Sequence, residues 1–446
     1  MANTTNEQTL LMYLYTVPSI QRKQLILALP DMPYQSLTRA VRTAEKHGYI
    51  EQKSVNRTRR VSITESGKKY ITEKAGEELN RGKRRTATKH SEKERLRRFE
   101  RAETTQIICR AAGIKVSTES GISFWDVIQP QSPNHEAAQS AVSTTEGMFF
   151  PSEDIARSIQ FNRQAGENVS FAQSRYIGVI ISENGVWFVY NTLDKLMRFV
   201  HANENMLVTG VQQLLLKVLQ QKKQKDALYA PSSIIFGKSC AMLPKIVTGD
   251  KWGRRDRQEY SGYIRTSLMR YENLAAHFRK NYFVPLNTLG VDILDRVVHL
   301  TQQELNEMKE EWLRSYGDYT IVRSTGYLEG YEKGEDIKTI LFPVLQFEEI
   351  LFQRKSNFPC RIVCERGTQD GISRVLGKIA IDFLNIADNE PLPFHHYDDM
   401  GVRMDGVNPF TGTGYVAPQF RQSPAQSDSP NTSEMDERDY EPTRDD

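Results

Sequence analysis

The segment from Arg22 to Ile71, "RKQLILALPDMPYQSLTRAVRTAEKHGYIEQKSVNRTRRVSITESGKKYI", decides the fold of the N-terminal part of this chain. Apolar residues recur at helical spacing in its first half, and its second half alternates around the basic tip "NRTRR". The pattern predicts two short helices followed by a β-hairpin. Cations are concentrated on one helix and on the hairpin, although the formal net charge of all 446 residues is only +3.

The helix that begins near Pro33 has two distinct faces. Proline favours the first turn of a helix, and Gly48 is a typical C-terminal stop. One face is apolar and should pack inward; its residues are Leu37, Ala40, Val41 and Ala44. The opposite face is polar and basic; its residues are Gln35, Ser36, Arg39, Arg42, Thr43 and Lys46.

The flanking elements complete a small domain, which we assign to residues 1–78. A first helix is indicated upstream by Leu10, Leu11, Leu14 and Val17. Tyr49–Lys53 and Arg60–Ile63 alternate like the strands of the hairpin, and Thr64 should cap a further helix. The order of three helices, hairpin and helix, with the segment "GYIEQ…RRVSITESGKKYI", strongly resembles the winged helix-turn-helix family.

This resemblance implies binding of double-stranded DNA. An α-helix fits the major groove, where Gln35, Ser36 and Arg39 could reach base edges. The hairpin would place further cations against phosphates or in the minor groove; they are Arg57, Arg59 and Arg60. The alternative is a protein-docking module whose arginines form a solvated face.

Residues 79–103 form a basic linker that contains "RGKRRTATKHSEKERLRRFER". The segment has too few apolar residues to bury a core of its own. We expect its first half to be flexible and an exposed helix to begin at Ser91. Arg84 and Arg85 are predicted to contact phosphates, which would make binding strongly salt-dependent. The alternative is an interdomain linker that only aids solubility.

Residues 104–385 alternate predicted strands with helices, which indicates a mixed α/β sheet. The clearest signal is a hairpin formed by Tyr176–Ile181 and Val186–Tyr190 around "ENG". The sequence leaves open whether this region is one sheet or two lobes with a break near residues 302–317.

Several segments, together with the winged helix, resemble replication-relaxation-type proteins of bacterial plasmids and integrative conjugative elements. They are "SRYIGVIISENGVWFVYNT", "SSIIFGKS", "NYFVPLN" and "CRIVCERGTQDGISRVLG". The resemblance implies a restriction-endonuclease-like sheet and DNA handling in replication or conjugative mobilisation. It also implies double-stranded DNA and other replication or transfer proteins as partners, and it leaves homo-oligomerisation open.

A nuclease of that fold needs one carboxylate and, on the adjacent strand, a second carboxylate two residues before a lysine. Together these residues hold a divalent metal that activates water. Asn191, Glu183, the pair Asp194-Lys195 and Glu365 do not have this spacing, so the motif is predicted to be absent or degenerate. We therefore expect no cofactor, and a divalent metal only if the chain is an origin-nicking endonuclease or relaxase. The "HHYDD" cluster at His395–Asp399 is interpreted as a chance loop.

The remaining features indicate a cytoplasmic protein without a membrane anchor. Apolar stretches are too short for a bilayer, and the four dispersed cysteines are typical of reduced thiols. Residues 386–446 are predicted to be a disordered acidic tail. The function expected is a sequence-directed DNA-binding protein of a bacterial mobile element; the alternatives are the nicking enzyme and a transcriptional regulator with an α/β sensor or oligomerisation domain.

Overall fold

The computed structural model describes residues 5–17, 19–29, 32–55, 58–75, 92–164, 175–248, 259–261, 264–324, 327–334, 338–354, 360–365, 367–376 and 381–385. These residues form a mixed α/β structure, which confirms the predicted class. Their strands make one seven-stranded sheet, one five-stranded sheet and two three-stranded sheets.

The N-terminal unit contains the predicted helices and hairpin, with one additional strand. Its elements are α1 (Asn6–Thr16), β1 (Ser19–Gln21), a 3-10 helix (Arg22–Gln24), α2 (Leu25–Ala28), α3 (Tyr34–Lys46), β2 (Ile50–Val55), β3 (Thr58–Ile63) and α4 (Glu65–Ala75). The strands pair antiparallel in the order β1-β3-β2. Strand β1 escaped prediction because three residues are too few to show an alternating pattern.

Two glycines and a threonine determine how α3, the hairpin and α4 follow one another. Gly48 ends α3 with a φ of 71°, a left-handed conformation that favours glycine. The Thr64 hydroxyl donates to the Gly48 carbonyl at 2.7 Å and accepts from the Gly67 amide at 3.1 Å, so Thr64 caps α4 as predicted. A Cβ at Gly67 would lie 2.2 Å from the Tyr49 carbonyl oxygen, so α4 can approach the start of the hairpin only with glycine there.

Helix α5 (Glu92–Ala111) runs without interruption from the predicted linker into the predicted α/β region. The sequence changes from polar to apolar in the middle of this helix, and Ile107, Ile108 and Cys109 are buried. That change in composition suggested a boundary between residues 103 and 104, but backbone hydrogen bonding continues across it. The predicted linker and the predicted start of the α/β region therefore share one helix.

The region after α5 builds the seven-stranded sheet and the helices that cover it. Its elements are β4 (Lys115–Val116), α6 (Ser117–Ser120), α7 (Phe124–Ile128), α8 (His135–Val142), β5 (Met148–Pro151), α9 (Ser152–Gln164), β6 (Gly178–Ser182), β7 (Gly185–Leu193), β8 (Arg198–Val200), α10 (His201–Leu216), α11 (Lys222–Tyr229), β9 (Ser232–Gly237), α12 (Met242–Thr248), β10 (Glu259–Ser261), β11 (Ile264–Leu268), α13 (Tyr271–Ala275), β12 (Lys280–Pro285) and α14 (Thr288–His299). The "ENG" segment joins β6 to β7, which confirms the predicted hairpin.

The last part of the described chain forms the five-stranded sheet. Its elements are α15 (Gln302–Tyr316), β13 (Tyr319–Ser324), β14 (Tyr327–Glu332), β15 (Lys338–Phe342), β16 (Leu345–Gln346), α16 (Phe347–Arg354), β17 (Cys360–Cys364), α17 (Gln369–Leu376) and β18 (Ile381–Asn385). Strand β16 returns to pair with β12, so the large sheet has the order β16-β12-β9-β7-β6-β5-β4. Strands β8, β10 and β11 form the small separate sheet.

The five-stranded sheet repeats the topology of the central strands of the large sheet. In β5-β6-β7-β9-β12, the first two pairings are antiparallel and the last two are parallel. In β13-β14-β15-β17-β18, the same directions occur in the same order. The five-stranded sheet and the five central strands of the seven-stranded sheet thus share one order of strand directions, and residues 302–316 are the helix that precedes the five-stranded sheet.

Candidate nucleic-acid interface

Helix α3 turns its apolar face to the core and its basic face outward. The four residues predicted to pack inward are buried; they are Leu37, Ala40, Val41 and Ala44. On the opposite face Ser36 is half-buried, and the other five are exposed: Gln35, Arg39, Arg42, Thr43 and Lys46. The predicted division of the helix is confirmed, and it gives an outward basic surface about 20 Å long.

The β2–β3 hairpin places neighbouring arginines on opposite sides of the sheet. Successive side chains of a strand point to opposite faces. Arg59, paired in register with Ser54, is exposed. Arg60, paired with Lys53, is 6% exposed, whereas Lys53 itself is exposed and lies 2.9 Å from the Glu51 carboxylate. Only Arg59 of these two arginines therefore faces outward from the hairpin.

The prediction that Arg60 contacts DNA is wrong for this arrangement, because its guanidinium is used inside the protein. Its Nη2 donates to Glu103 Oε2 at 2.9 Å and to the Ser19 carbonyl at 2.8 Å. Its Nε donates to Ser19 Oγ at 3.1 Å. Arg60 thus fixes the hairpin to β1 and α5.

Glu103 is the residue that sequence reasoning missed. It is fully buried on α5, and its Oε1 accepts from the Gln21 amide at 3.2 Å. Burial raises the pKa of Glu103 to about 7, although the charge of Arg60 acts in the opposite direction. The only sequence signal was its spacing of four residues from Ile107, which places both on one helix face.

A second contact joins the N-terminal unit to α5. The Arg110 guanidinium carbon lies 5.3 Å from the centroid of the buried Tyr13 ring of α1, which is within the range of a cation–π contact. Arg110 also donates from Nε to Glu119 Oε2 at 2.9 Å. Glu103 and Arg110 are about two helical turns apart. The N-terminal unit is therefore held on α5 at two positions.

Several predicted residues lie outside the described parts of the chain. They are Arg57 at the hairpin tip, Arg84 and Arg85 of the linker, the "HHYDD" cluster from His395 to Asp399, and the acidic tail. Their predicted roles stay predictions.

The polar residues considered for nuclease chemistry are engaged elsewhere. Asn191 is buried and donates to the carbonyl of Arg101 at 3.2 Å. Asp194 lies 2.5 Å from an Arg97 nitrogen, and Glu365 accepts from the buried Arg296 at 2.6 Å. These three side chains therefore contribute to packing contacts within the protein.

Sequence reasoning overlooked the carboxylate-x-lysine spacing, which occurs at Glu51–Lys53, Glu307–Lys309 and Asp336–Lys338. Lys338 opens β15, and its Nζ donates to Glu329 Oε1 on the adjacent strand β14 at 3.0 Å. Both side chains of this pair are nearly buried. Asp336 itself lies outside the described residues.

Neither the geometry of the described residues nor similarity to known proteins assigns a function to this chain. Within the described ranges, no group of three or more His, Cys, Asp or Glu side chains could hold a metal ion, and no helix is long and apolar enough to cross a membrane. The four cysteines are buried and unpaired. No family model matches the chain, and neither a curated protein nor a solved structure matches it.

Proposed function

We propose that the N-terminal unit is a winged helix that binds double-stranded DNA, with α3 in the major groove. The observation that supports this proposal is the outward face of α3, which combines three exposed cations with amide and hydroxyl groups. Cations attract phosphates, and the polar groups can bond to base edges. The apolar face of the same helix is buried, so these side chains are free to face a partner.

Each exposed side chain has a distinct role in this proposal. Gln35 and Arg39 lie in the N-terminal half of α3, from which recognition helices contact bases. Glutamine suits adenine, and arginine suits guanine. Arg42 and Lys46, nearer the C-terminal end, bind phosphates. Arg59 extends from the hairpin to the adjacent backbone or minor groove.

The process that we propose for this binding is replication or conjugative mobilisation of a bacterial mobile genetic element. The support is the resemblance of the chain to replication-relaxation-type proteins, combined with the basic face of α3. In this proposal the two α/β sheets contact other replication or transfer proteins, or the strand to be processed.

The test begins with duplexes selected by the full-length chain from a randomised pool. Arg39→Ala should lower the discrimination between selected and scrambled duplexes by about 1–3 kcal/mol, because a bidentate base contact is lost. Non-specific binding should change less. Lys222→Ala, an exposed position on α11 beside the large sheet, is the control and should change neither. A chain that enriches no sequence and binds no duplex at low salt would overturn the proposal.

DNA nicking is a second candidate function, favoured by the Glu329–Lys338 pair. The pair lies on adjacent strands, and the sequence places Asp336 two residues before Lys338, the spacing of metal-dependent nucleases. Carboxylates of this type hold a divalent metal, which would activate water.

A plasmid assay tests this second candidate. Supercoiled plasmid that carries the selected site should become open-circular with magnesium or manganese, and Glu329→Gln should abolish the conversion. Glu349→Gln is the matched control, because it breaks the similar buried Lys309–Glu349 pair. If the plasmid stays supercoiled with wild-type protein, the chain does not nick DNA. If Glu329→Gln and Glu349→Gln lose nicking activity equally, the Glu329–Lys338 pair stabilises the fold and does not take part in nicking.

A further inference from the structure

The carboxyl ends of β7 and β9 form an irregular edge of the large sheet. Their register shifts between Asn191 and Leu193, and Leu193 has a φ of 51°, which non-glycine residues seldom adopt. The buried Asn191 side chain supports the bulge by accepting from the Leu193 amide at 3.0 Å. Bulges re-aim neighbouring side chains, and open α/β sheets bind ligands outside the carboxyl ends of their parallel strands.

Helix α5 passes this edge and brings arginines to it. The Asn191 side chain donates to the Arg101 carbonyl and to two threonine hydroxyls of α5, each of the latter at 3.0 Å. One turn earlier, Arg97 bonds to Asp194, which follows β7. The other cations at this edge are exposed; they are Arg98, Arg175, Lys195 and Lys238.

Arg101 is the centre of this cationic cluster. Burial, and then the positive charges of Arg97 and Arg175, lower the pKa of Arg101 to about 10. Its Nε is buried and has no hydrogen-bond acceptor in the described part of the chain. Like charges gathered at one place repel one another, and a buried donor without an acceptor is unfavourable. An anion at this edge would relieve both effects.

We propose that this sheet edge, formed by Arg97, Arg101, Arg175 and the neighbouring lysines, is a second phosphate-binding site that holds the backbone of bound DNA. Guanidinium groups suit phosphate because they donate several hydrogen bonds in one plane. The choice of DNA as the source of the phosphates rests on the proposed function of the N-terminal unit.

The position of α5 supports that choice. Arg101 is two residues before Glu103, which binds the hairpin through Arg60. Two residues of a helix rise about 3 Å along its axis. Two residues also turn about 200° around the axis, so the hairpin and the sheet edge contact opposite sides of the same turn of α5. An α-helix with its side chains is about 10–12 Å across, so one duplex is long enough to contact both surfaces.

The salt dependence of binding tests this site. Full-length chain is titrated into the selected duplex, extended on both sides, at several salt concentrations. The measured quantity is the slope of the logarithm of the binding constant against the logarithm of the salt concentration. Combining Arg101→Gln with Arg175→Gln should reduce the magnitude of this slope by about 1.8, or about 0.9 for each lost phosphate contact. Lys222→Gln with Lys223→Gln removes the same charge from exposed positions of α11 and should leave the slope unchanged. Arg101 is partly buried, so its substitution could disturb the fold. Arg175 is exposed, and Arg175→Gln alone should keep the fold and reduce the magnitude of the slope by about 0.9.

The outcomes separate this site from the proposed function. Wild-type slopes in both sheet-edge variants would overturn the site, even if Arg39→Ala loses sequence discrimination. Reduced slopes with no effect of Arg39→Ala would support the site while contradicting the role of α3. Wild-type slopes in both sheet-edge variants, together with binding of nucleoside triphosphate that Arg175→Gln weakens, would assign the site to free nucleotides and overturn the assignment to DNA.

Discussion

Replacing Glu103 by leucine is expected to lower the free energy of unfolding by about 3–5 kcal/mol, because the Arg60 guanidinium would stay buried without its carboxylate. Arg60 is 6% exposed, and Glu103 is fully buried. The loss is a large part of the total stability of a typical domain, about 5–15 kcal/mol. Denaturant unfolding of the purified variants measures it at a pH above about 7, where Glu103 is charged.

Adjacent arginines provide the matched control for this pair. Arg60→Met should destabilise the chain as Glu103→Leu does, whereas Arg59→Met should change stability by less than about 0.5 kcal/mol. Arg59→Met should instead weaken DNA binding. Combining Arg60→Met with Glu103→Leu should restore much of the loss, since neither charge is then buried alone. Equal effects of Arg59→Met and Arg60→Met on stability would contradict the buried pair.

The carboxyl group of Glu103 should make the folded state less stable as the pH rises. Burial raises the pKa of Glu103 from its ordinary value of 4.5 to about 7. Between these values the folded state binds the proton more tightly than the unfolded state does, so this contribution to stability is full below pH 4.5 and is lost as the pH rises through about 7. In Glu103→Gln this part of the pH dependence should disappear. An unchanged profile would show that Glu103 does not titrate in this range.

Replacing Arg296 by methionine is expected to lower the free energy of unfolding by a similar amount, about 3–5 kcal/mol. We also expect the seven-stranded and the five-stranded sheet to unfold at different temperatures in this variant. Arg296 lies on α14 beside the large sheet, and its guanidinium donates to Glu365 at 2.6 Å and to the Pro343 carbonyl at 2.9 Å. Both acceptors follow strands of the second sheet. The substitution leaves Glu365 buried with a charge and removes a direct link between the sheets.

Calorimetry measures this uncoupling. Arg296→Met should lower the midpoint temperature of the main unfolding transition. The transition should also become broader or divide into two, because cooperative unfolding requires the sheets to unfold together. Arg314→Met is the control: it breaks an ion pair on α15 whose arginine is 72% exposed, and surface pairs contribute about 0–1 kcal/mol. A single sharp transition in Arg296→Met, at the wild-type temperature, would show that other contacts hold the sheets together.

The local elements of the fold were predictable because their causes lie close together in the sequence. The buried and exposed faces of α3 follow from residues spaced three and four apart, and the β6–β7 hairpin follows from "ENG" between two β-branched runs. The same reasoning did not show that the linker and the start of the α/β region share one helix, α5, because the composition changes in the middle of it. Strand β1 is too short to carry a pattern.

The sequence by itself determined which helix is basic, where the hairpin turns and that strands alternate with helices, since these depend on neighbours along the chain. Only the tertiary structure decided that Arg60 is buried while Arg59 is exposed, because the partner of Arg60 is Glu103, on a different helix. It also divided the strands among sheets, two of which contain the same five-stranded arrangement, and gathered Arg97, Arg101 and Arg175 at one edge. Side chains distant in sequence meet only when packing brings their elements together, and no local pattern encodes that meeting.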